Sequence, residues 1–196
     1  MIEKQKKETG EAYVTTVLFN HEYTLLHDHV NLQDVQPMTT GDYWTRGTTA
    51  LFDAVGSTIN SVGRRLSDTP EDERPEKVIF VITTDGYENA SKEFNRSKVK
   101  EMIEHQQSKY SWLFMFLGAN IDAAEEASDI GIDARFARTY TASDIGTTSV
   151  YNAVSDAVKS VRECEFSDIV ALSSSCSSDC SSVIATKITA AMDSIV

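Results

Sequence analysis

Short apolar runs alternate along the chain with segments whose apolar residues recur at helical spacing. Two runs are continuous and of strand length, Lys77–Thr84 and Trp112–Leu117, a pattern typical of parallel strands covered on both faces. Tyr13–Phe19 is rich in β-branched and aromatic residues, and Tyr23–Val30 follows closely enough to form a hairpin with it. A weaker β-like segment covers Ala134–Thr141. The pattern therefore predicts at least five strands.

Helices are predicted between these strands. Apolar residues recur every three or four positions over Thr48–Val62, Ser97–Tyr110 and Ser149–Cys164, and a short helix is expected over Asp122–Ile130. Strands that alternate with helices indicate an α/β fold, in which helices cover both faces of a mostly parallel sheet.

The last 29 residues differ in composition from the rest of the chain. Ile169–Leu172 is a short apolar run, residues 173–182 are almost all small and polar, and Ser182–Val196 has apolar residues at helical spacing. The Ser-rich stretch is typical of a flexible linker, but it also fits the loop of a strand–loop–helix unit. We favour the second interpretation, because linkers seldom end in a helix with an apolar stripe.

Composition narrows the class of function. The 196 residues include 30 acidic and 18 basic side chains, for a net charge of −12, which argues against binding to nucleic acid or to anionic lipid. No apolar run approaches the roughly 20 residues that span a bilayer, and the charged N-terminus lacks the apolar core of a signal peptide. Three cysteines are too few for a disulfide framework. We expect a single cytoplasmic domain.

Two motifs, Gly47–Val55 and Val78–Gly86, stand in the order and spacing of two metal-site loops. Together they resemble the second and third such loops of von Willebrand factor A (vWA) domains, over residues 1–163. The resemblance implies a three-layer α/β/α, Rossmann-like sandwich whose mostly parallel, doubly wound sheet has one antiparallel edge strand. It also implies a metal-ion-dependent adhesion site (MIDAS) at the C-terminal edge of that sheet.

The family's first metal-site loop, Asp-x-Ser-x-Ser, follows the central strand, and nothing before Tyr13 supplies that strand. A sheet without its middle strand would leave backbone groups unpaired. Ile169–Leu172 and the serines after it resemble this strand and loop, with Ser173 in place of the Asp. We expect one domain over 1–196 in circularly permuted order, in which residues 168–196 supply the central strand and first loop. The alternative is a strand-swapped dimer, in which the tail pairs with a neighbouring chain.

The resemblance implies a magnesium site with hydroxyl and carboxylate ligands: Asp85, Thr49, Ser175 and Ser177, with Ser173 at the position of the missing Asp. Mg²⁺ prefers oxygen ligands and keeps several waters, so an open position would accept an Asp or Glu carboxylate of an unidentified protein partner. Ser173 removes one negative charge, and binding is therefore expected to be weak or absent unless Asp53 or Asp179 compensates.

Simpler interpretations exist for the same residues. Asp85 before Gly86 is a common turn signal, Thr49 is a possible helix N-cap, and the serines fit a solvated loop. His27 and His29 share a predicted strand face but lack a third ligand, and Cys176 and Cys180 lack a second metal-binding pair.

We predict a protein-binding module and not an enzyme. The chain has no nucleophile elbow, P-loop or dinucleotide fingerprint, and no histidine lies near the two motifs in sequence. The alternatives are a metal-dependent hydrolase that uses the same sheet edge, and a scaffold that has lost metal binding.

Overall fold

The structure of the protein is a computed structural model, which describes residues 1–39, 41 and 47–164. These ranges contain five strands and five α-helices. The strands are β1 (Tyr13–Phe19), β2 (Tyr23–Asn31), β3 (Ile79–Thr84), β4 (Leu113–Ala119) and β5 (Ala137–Tyr140). The helices are α1 (Ile2–Gln5), α2 (Leu51–Asp68), α3 (Arg96–Tyr110), α4 (Ala123–Asp129) and α5 (Asp144–Glu163).

The strands form two sheets. β1 and β2 pair as an antiparallel hairpin, and β3, β4 and β5 form a parallel sheet in that order. The predicted hairpin and the mixed α/β class are confirmed. Within the described ranges, however, the hairpin and the parallel strands are separate sheets and do not form one continuous sheet.

The core is built around β4, in which all seven residues are buried. Because side chains alternate between the faces of a strand, both faces of β4 are covered. Buried apolar side chains of α2, α3 and α5 share this core, among them Ile59, Ile103 and Val154. Burial on both faces is therefore confirmed for the Trp112–Leu117 run.

For the Lys77–Thr84 run, burial is only partial among the described residues. Only Ile82 and Thr84 of β3 are buried, and the other four strand residues are half-buried. Among the described residues β3 has a strand neighbour on one side only, namely β4. The apolar sequence of this run therefore predicts more burial of its side chains than the described neighbouring elements provide.

Several predicted boundaries differ from the structure: α2, for example, was predicted over Thr48–Val62 and covers Leu51–Asp68. α5 begins at Asp144, five residues before the predicted start, and the Ser143 hydroxyl caps it by accepting a hydrogen bond from the Gly146 N–H at 3.1 Å. No residue of α5 before Val150 is buried, so the apolar stripe appears only where the helix reaches the core. The predicted segment Ala134–Thr141 divides into a 3-10 turn, Ala134–Phe136, and β5.

None of the helices in the described ranges combines the length and apolar character that a bilayer crossing requires.

Several predictions concern residues outside the described ranges. These are the strand Ile169–Leu172, the serines after it, the helix Ser182–Val196, and Cys176 and Cys180. The permuted chain order therefore stays a prediction.

Candidate metal site

Asp85 lies at the carboxyl end of β3, in a turn that does not use its side chain. The Thr84 hydroxyl holds the turn: it donates to the Gly86 carbonyl at 2.8 Å and accepts from the Gly86 N–H at 3.3 Å. Asp85 is exposed, and among the described residues its carboxylate has no hydrogen bond or ion pair. The carboxylate is thus not needed for the turn and is available to a ligand.

Thr49 lies immediately beside this turn. A Cβ built on Gly86 would be 3.2 Å from the Thr49 hydroxyl oxygen. The Thr49 backbone is held to the loop after β3 at two points: its N–H donates to the Asn89 side-chain oxygen at 2.9 Å, and its carbonyl accepts from the Asn89 N–H at 3.0 Å. The structure therefore brings together two of the five predicted ligands, Thr49 and Asp85.

The N-cap interpretation of Thr49 is wrong. Ala50 occupies the N-cap position of α2, and the helix has no N-cap side-chain hydrogen bond. Its orphan donors are instead satisfied by the loop after β3, because Glu88 accepts from the Phe52 N–H at 2.9 Å. This leaves the Thr49 hydroxyl without a capping role.

Glu88 organises the loop that follows Asp85. Besides the Phe52 N–H, its carboxylate accepts the Ala90 N–H at 2.8 Å, the Ser91 N–H at 2.8 Å and the Ser91 hydroxyl at 2.7 Å. Burial by itself would raise the pKa of Glu88, but these donors outweigh it and hold the pKa below its ordinary value.

Asp53, in the first turn of α2, binds the loop after β3, just as Glu88 of that loop binds α2. Its carboxylate accepts the backbone N–H groups of Lys92, Glu93 and Phe94 at 2.8–2.9 Å. Burial would raise the pKa of Asp53, and the three donors lower it below its ordinary value. Because both oxygens are occupied by backbone donors, Asp53 is not placed to replace the missing Asp of the metal site.

Ser91 joins the Glu88 carboxylate to the backbone of Asp53. Its hydroxyl accepts from the Asp53 N–H at 3.0 Å and donates to Glu88. We call Asp53, Glu88 and Ser91 the acidic clasp. The clasp fastens the loop after β3 to the start of α2, and so fixes the positions of Asp85 and Thr49. Sequence reasoning missed it, because its partners are 36 to 41 residues apart.

The hairpin histidines do not form a metal site with the described residues. A bulge interrupts the pairing of β1 with β2 beyond His27, and His29 adopts a left-handed φ of 53° and stacks on Tyr13 at 4.2 Å between ring centroids. In residues 1–39, 41 and 47–164, no group of three or more His, Cys, Asp or Glu side chains is placed to hold a metal ion. Ser173, Ser175 and Ser177 lie outside these ranges.

The acidic clasp predicts how stability depends on pH. Asp53 and Glu88 have lowered pKa values in the folded protein, so their contribution is full above the unfolded values, about pH 4, and is lost as the pH falls through the folded values. We expect Asp53→Asn to reduce the free energy of unfolding at pH 7 and to reduce it less at about pH 3, below the unfolded pKa. Urea unfolding at both pH values measures this.

Asp72→Asn is a suitable control, since Asp72 is exposed in the 3-10 turn Glu71–Glu73. This variant should differ little from the wild type at either pH. An equal loss of stability at pH 7 and pH 3 in Asp53→Asn would show that the charge of Asp53 is not what holds the loop.

The chain matches no protein-family model, and neither the curated proteins nor the solved structures contain a significant match to it.

Proposed function

We propose that the chain is a vWA-like protein-binding module, which recognises an Asp or Glu carboxylate of a partner protein through a divalent cation at the carboxyl end of β3. The observation that carries the proposal is the Asp85 carboxylate, which has no partner among the described residues, in the turn whose next residue, Gly86, lies against the Thr49 hydroxyl. The two lie on separate segments, which Asn89 and the acidic clasp hold together.

The chemistry of these groups suits Mg²⁺. Carboxylate and hydroxyl oxygens are hard ligands, and Mg²⁺ is held in proteins by few side chains while it keeps several waters. Asp85 and Thr49 are the ligands that the described residues offer, and we propose Ser173, Ser175 and Ser177 as the rest of the set. One of the waters would be replaced by the partner's carboxylate.

Affinity for the ion is expected to be weak. With Ser173 in the position of the family's first Asp, the proposed set carries one negative charge, that of Asp85. Attraction between a divalent cation and its site depends chiefly on that charge. The net charge of −12 over the whole chain adds a general, salt-dependent attraction and cannot replace a ligand.

We propose recognition rather than reaction, and a cytoplasmic role in the assembly or regulation of another complex. The proposed fold is the three-layer α/β/α sandwich of vWA domains. It is supported by the parallel strands β3–β5, by the antiparallel hairpin and by the helices that share the core of β4. Neither nucleic acid nor a membrane is among the proposed partners, given the acidic composition.

Isothermal titration of the full chain with Mg²⁺ and with Mn²⁺ tests the proposal. We expect uptake of one ion by the wild type and a loss of affinity of about tenfold or more in Asp85→Asn, since this substitution removes the charge and keeps the shape. Thr49→Val, which replaces the hydroxyl by a methyl group, should also weaken binding.

Asp72→Asn is the matched control, because it removes the same charge from an exposed turn that precedes β3 in the chain, whereas Asp85 follows β3. If Asp72→Asn weakens ion binding as much as Asp85→Asn does, binding depends on the net charge of the protein and not on Asp85 as a ligand. If the wild type takes up no ion at about 10 mM, the adhesion mechanism is wrong and the scaffold alternative holds. Turnover of generic phosphatase or esterase substrates that depends on Asp85 would instead favour the hydrolase.

A further inference from the structure

Each of the two sheets has two outer strand edges without a strand partner among the described residues, one of them on β1 and, in the other sheet, one on β3. β1 pairs with β2 on one side, and β3 pairs with β4 on one side. Among the described residues, no backbone hydrogen bond reaches the other edge of either strand. Because the Leu113 N–H binds the Val78 carbonyl, alternate residues of β3 point towards β4, and the N–H and C=O groups of Ile79, Val81 and Thr83 point away from it.

The amino ends of β1 and β3 lie at the same place, the end of α5. The Arg162 guanidinium donates to the carbonyls of Thr9 and Gly10, both at 3.1 Å, just before β1. The Lys77 ammonium, just before β3, donates to the carbonyls of Arg162, at 3.0 Å, and Cys164. One end of α5 therefore bridges the starts of both strands.

The carboxyl ends of β1 and β3 also meet, at the start of α2. The Ala50 N–H donates to the carbonyl of Asn20, the residue after β1, at 2.7 Å. The adjacent Thr49 is bonded to Asn89 in the loop after β3. Because both starts are tied to the end of α5 and both ends to the start of α2, β1 and β3 run in the same general direction, and they are not paired with each other. We call the space between the two strands the strand gap.

The strand gap has the properties of an empty position in a sheet. The two flanking edges present unpaired backbone groups, which are costly to leave without a partner in a folded interior. β3 is apolar, yet most of it is only half-buried, whereas every residue of its neighbour β4 is buried. An apolar strand placed in the gap would pair both edges and complete the burial of β3.

We infer that Ile169–Leu172 of the same chain inserts in the strand gap, parallel to β1 and β3. The chain leaves α5 at Cys164, which packs against the core and whose carbonyl is held by Lys77. The exit point is thus at the amino end of the gap, and a segment that enters there runs parallel to β3. This inference stands without any metal.

The length and character of the segment fit the gap. Residues 165–168 extend to about 13 Å, enough to reach a position about 4.8 Å from β3, the ordinary spacing between strands. The four residues Ile169–Leu172 are all apolar, as a strand flanked on both edges requires. The serines that follow then emerge at the carboxyl end of β3, on the side of Thr49 and Asp85.

Amide hydrogen exchange of the full chain, followed by NMR, tests the inference. The N–H groups of Ile79, Val81 and Thr83 face the strand gap, and those of Phe80 and Ile82 bond to β4. We expect the gap-facing amides to exchange about 100-fold or more slowly than exposed amides, because an inserted strand accepts their hydrogen bonds. We also expect nuclear Overhauser contacts between residues 169–172 and β3. Unprotected gap-facing amides would overturn the inference.

Val170→Pro identifies the occupant, since proline in a central strand removes a ladder hydrogen bond. We expect the gap-facing amides to lose protection while Phe80 and Ile82 stay protected; Asp179→Pro, in the Ser-rich stretch, should change neither set. Retained protection of the gap-facing amides in Val170→Pro would assign the gap to another segment. If that variant unfolds, the contacts between residues 169–172 and β3 in the wild type decide. Light scattering should give a monomer of 21.7 kDa; a stable dimer with these contacts would show a strand swap and overturn insertion within one chain.

Discussion

Replacing Phe116 by alanine is expected to lower the free energy of unfolding by about 3–5 kcal/mol, a large part of the stability of a domain of this size. Phe116 is 0% exposed and lies in β4, opposite Ile82 on one side and Ala137 on the other. Its ring fills the middle of the core shared by the helices. Removal leaves a cavity that strands paired on both sides are poorly able to close.

Urea unfolding followed by circular dichroism measures this effect, with the denaturant slope expected to stay unchanged. Ile145→Ala is the matched control, since Ile145 is 82% exposed on the first turn of α5 and should cost less than about 0.5 kcal/mol. A loss below about 1 kcal/mol in Phe116→Ala would mean that the parallel sheet is not the centre of the core.

Replacing Glu88 by alanine is expected to cost about 2–3 kcal/mol, because three backbone N–H groups and one hydroxyl lose a charged acceptor at once. One of these donors is the Phe52 N–H in the first turn of α2, so the substitution also uncaps a helix. Glu88→Gln should fall between the wild type and Glu88→Ala, since an amide keeps one acceptor oxygen. Thermal unfolding at pH 7 measures all three proteins.

Glu101→Ala is the control for this comparison. Glu101 lies on the exposed side of α3, and its partner among the described residues is Lys98, three positions away. A surface pair of this kind contributes less than about 0.5 kcal/mol. Equal effects of Glu88→Ala and Glu101→Ala would contradict the role of the acidic clasp.

The order of strands and helices is readable from the sequence, because it depends on local pattern. Tyr13–Phe19 forms the predicted strand to the residue, since β-branched and aromatic side chains favour extended backbone. The start of α5 was predicted five residues late, because Ser143 begins the helix by capping while the apolar stripe begins only at Val150.

The candidate site, too, was predicted from the sequence only in part. Asp85 and Thr49 were predicted from their motifs, and Thr49 lies against Gly86, the residue after Asp85. The acidic clasp was not predicted, although Glu88 and Asp53 make more hydrogen bonds than either. A carboxylate that accepts backbone N–H groups from a distant segment has no required spacing or residue type in its partners, so no one-dimensional pattern identifies it.

The sequence by itself determined the mixed α/β class, the hairpin, the buried strand β4 and the two segments that carry Thr49 and Asp85. Only the tertiary structure decided that these segments touch, that Glu88 and not Thr49 caps α2, and that β1 and β3 belong to separate sheets, each with one edge that has no strand partner among the described residues. The physical reason is the range of the forces involved. Backbone preference and hydrophobic periodicity act between near neighbours in the chain, whereas caps and strand edges are satisfied by whichever groups folding brings within hydrogen-bonding distance.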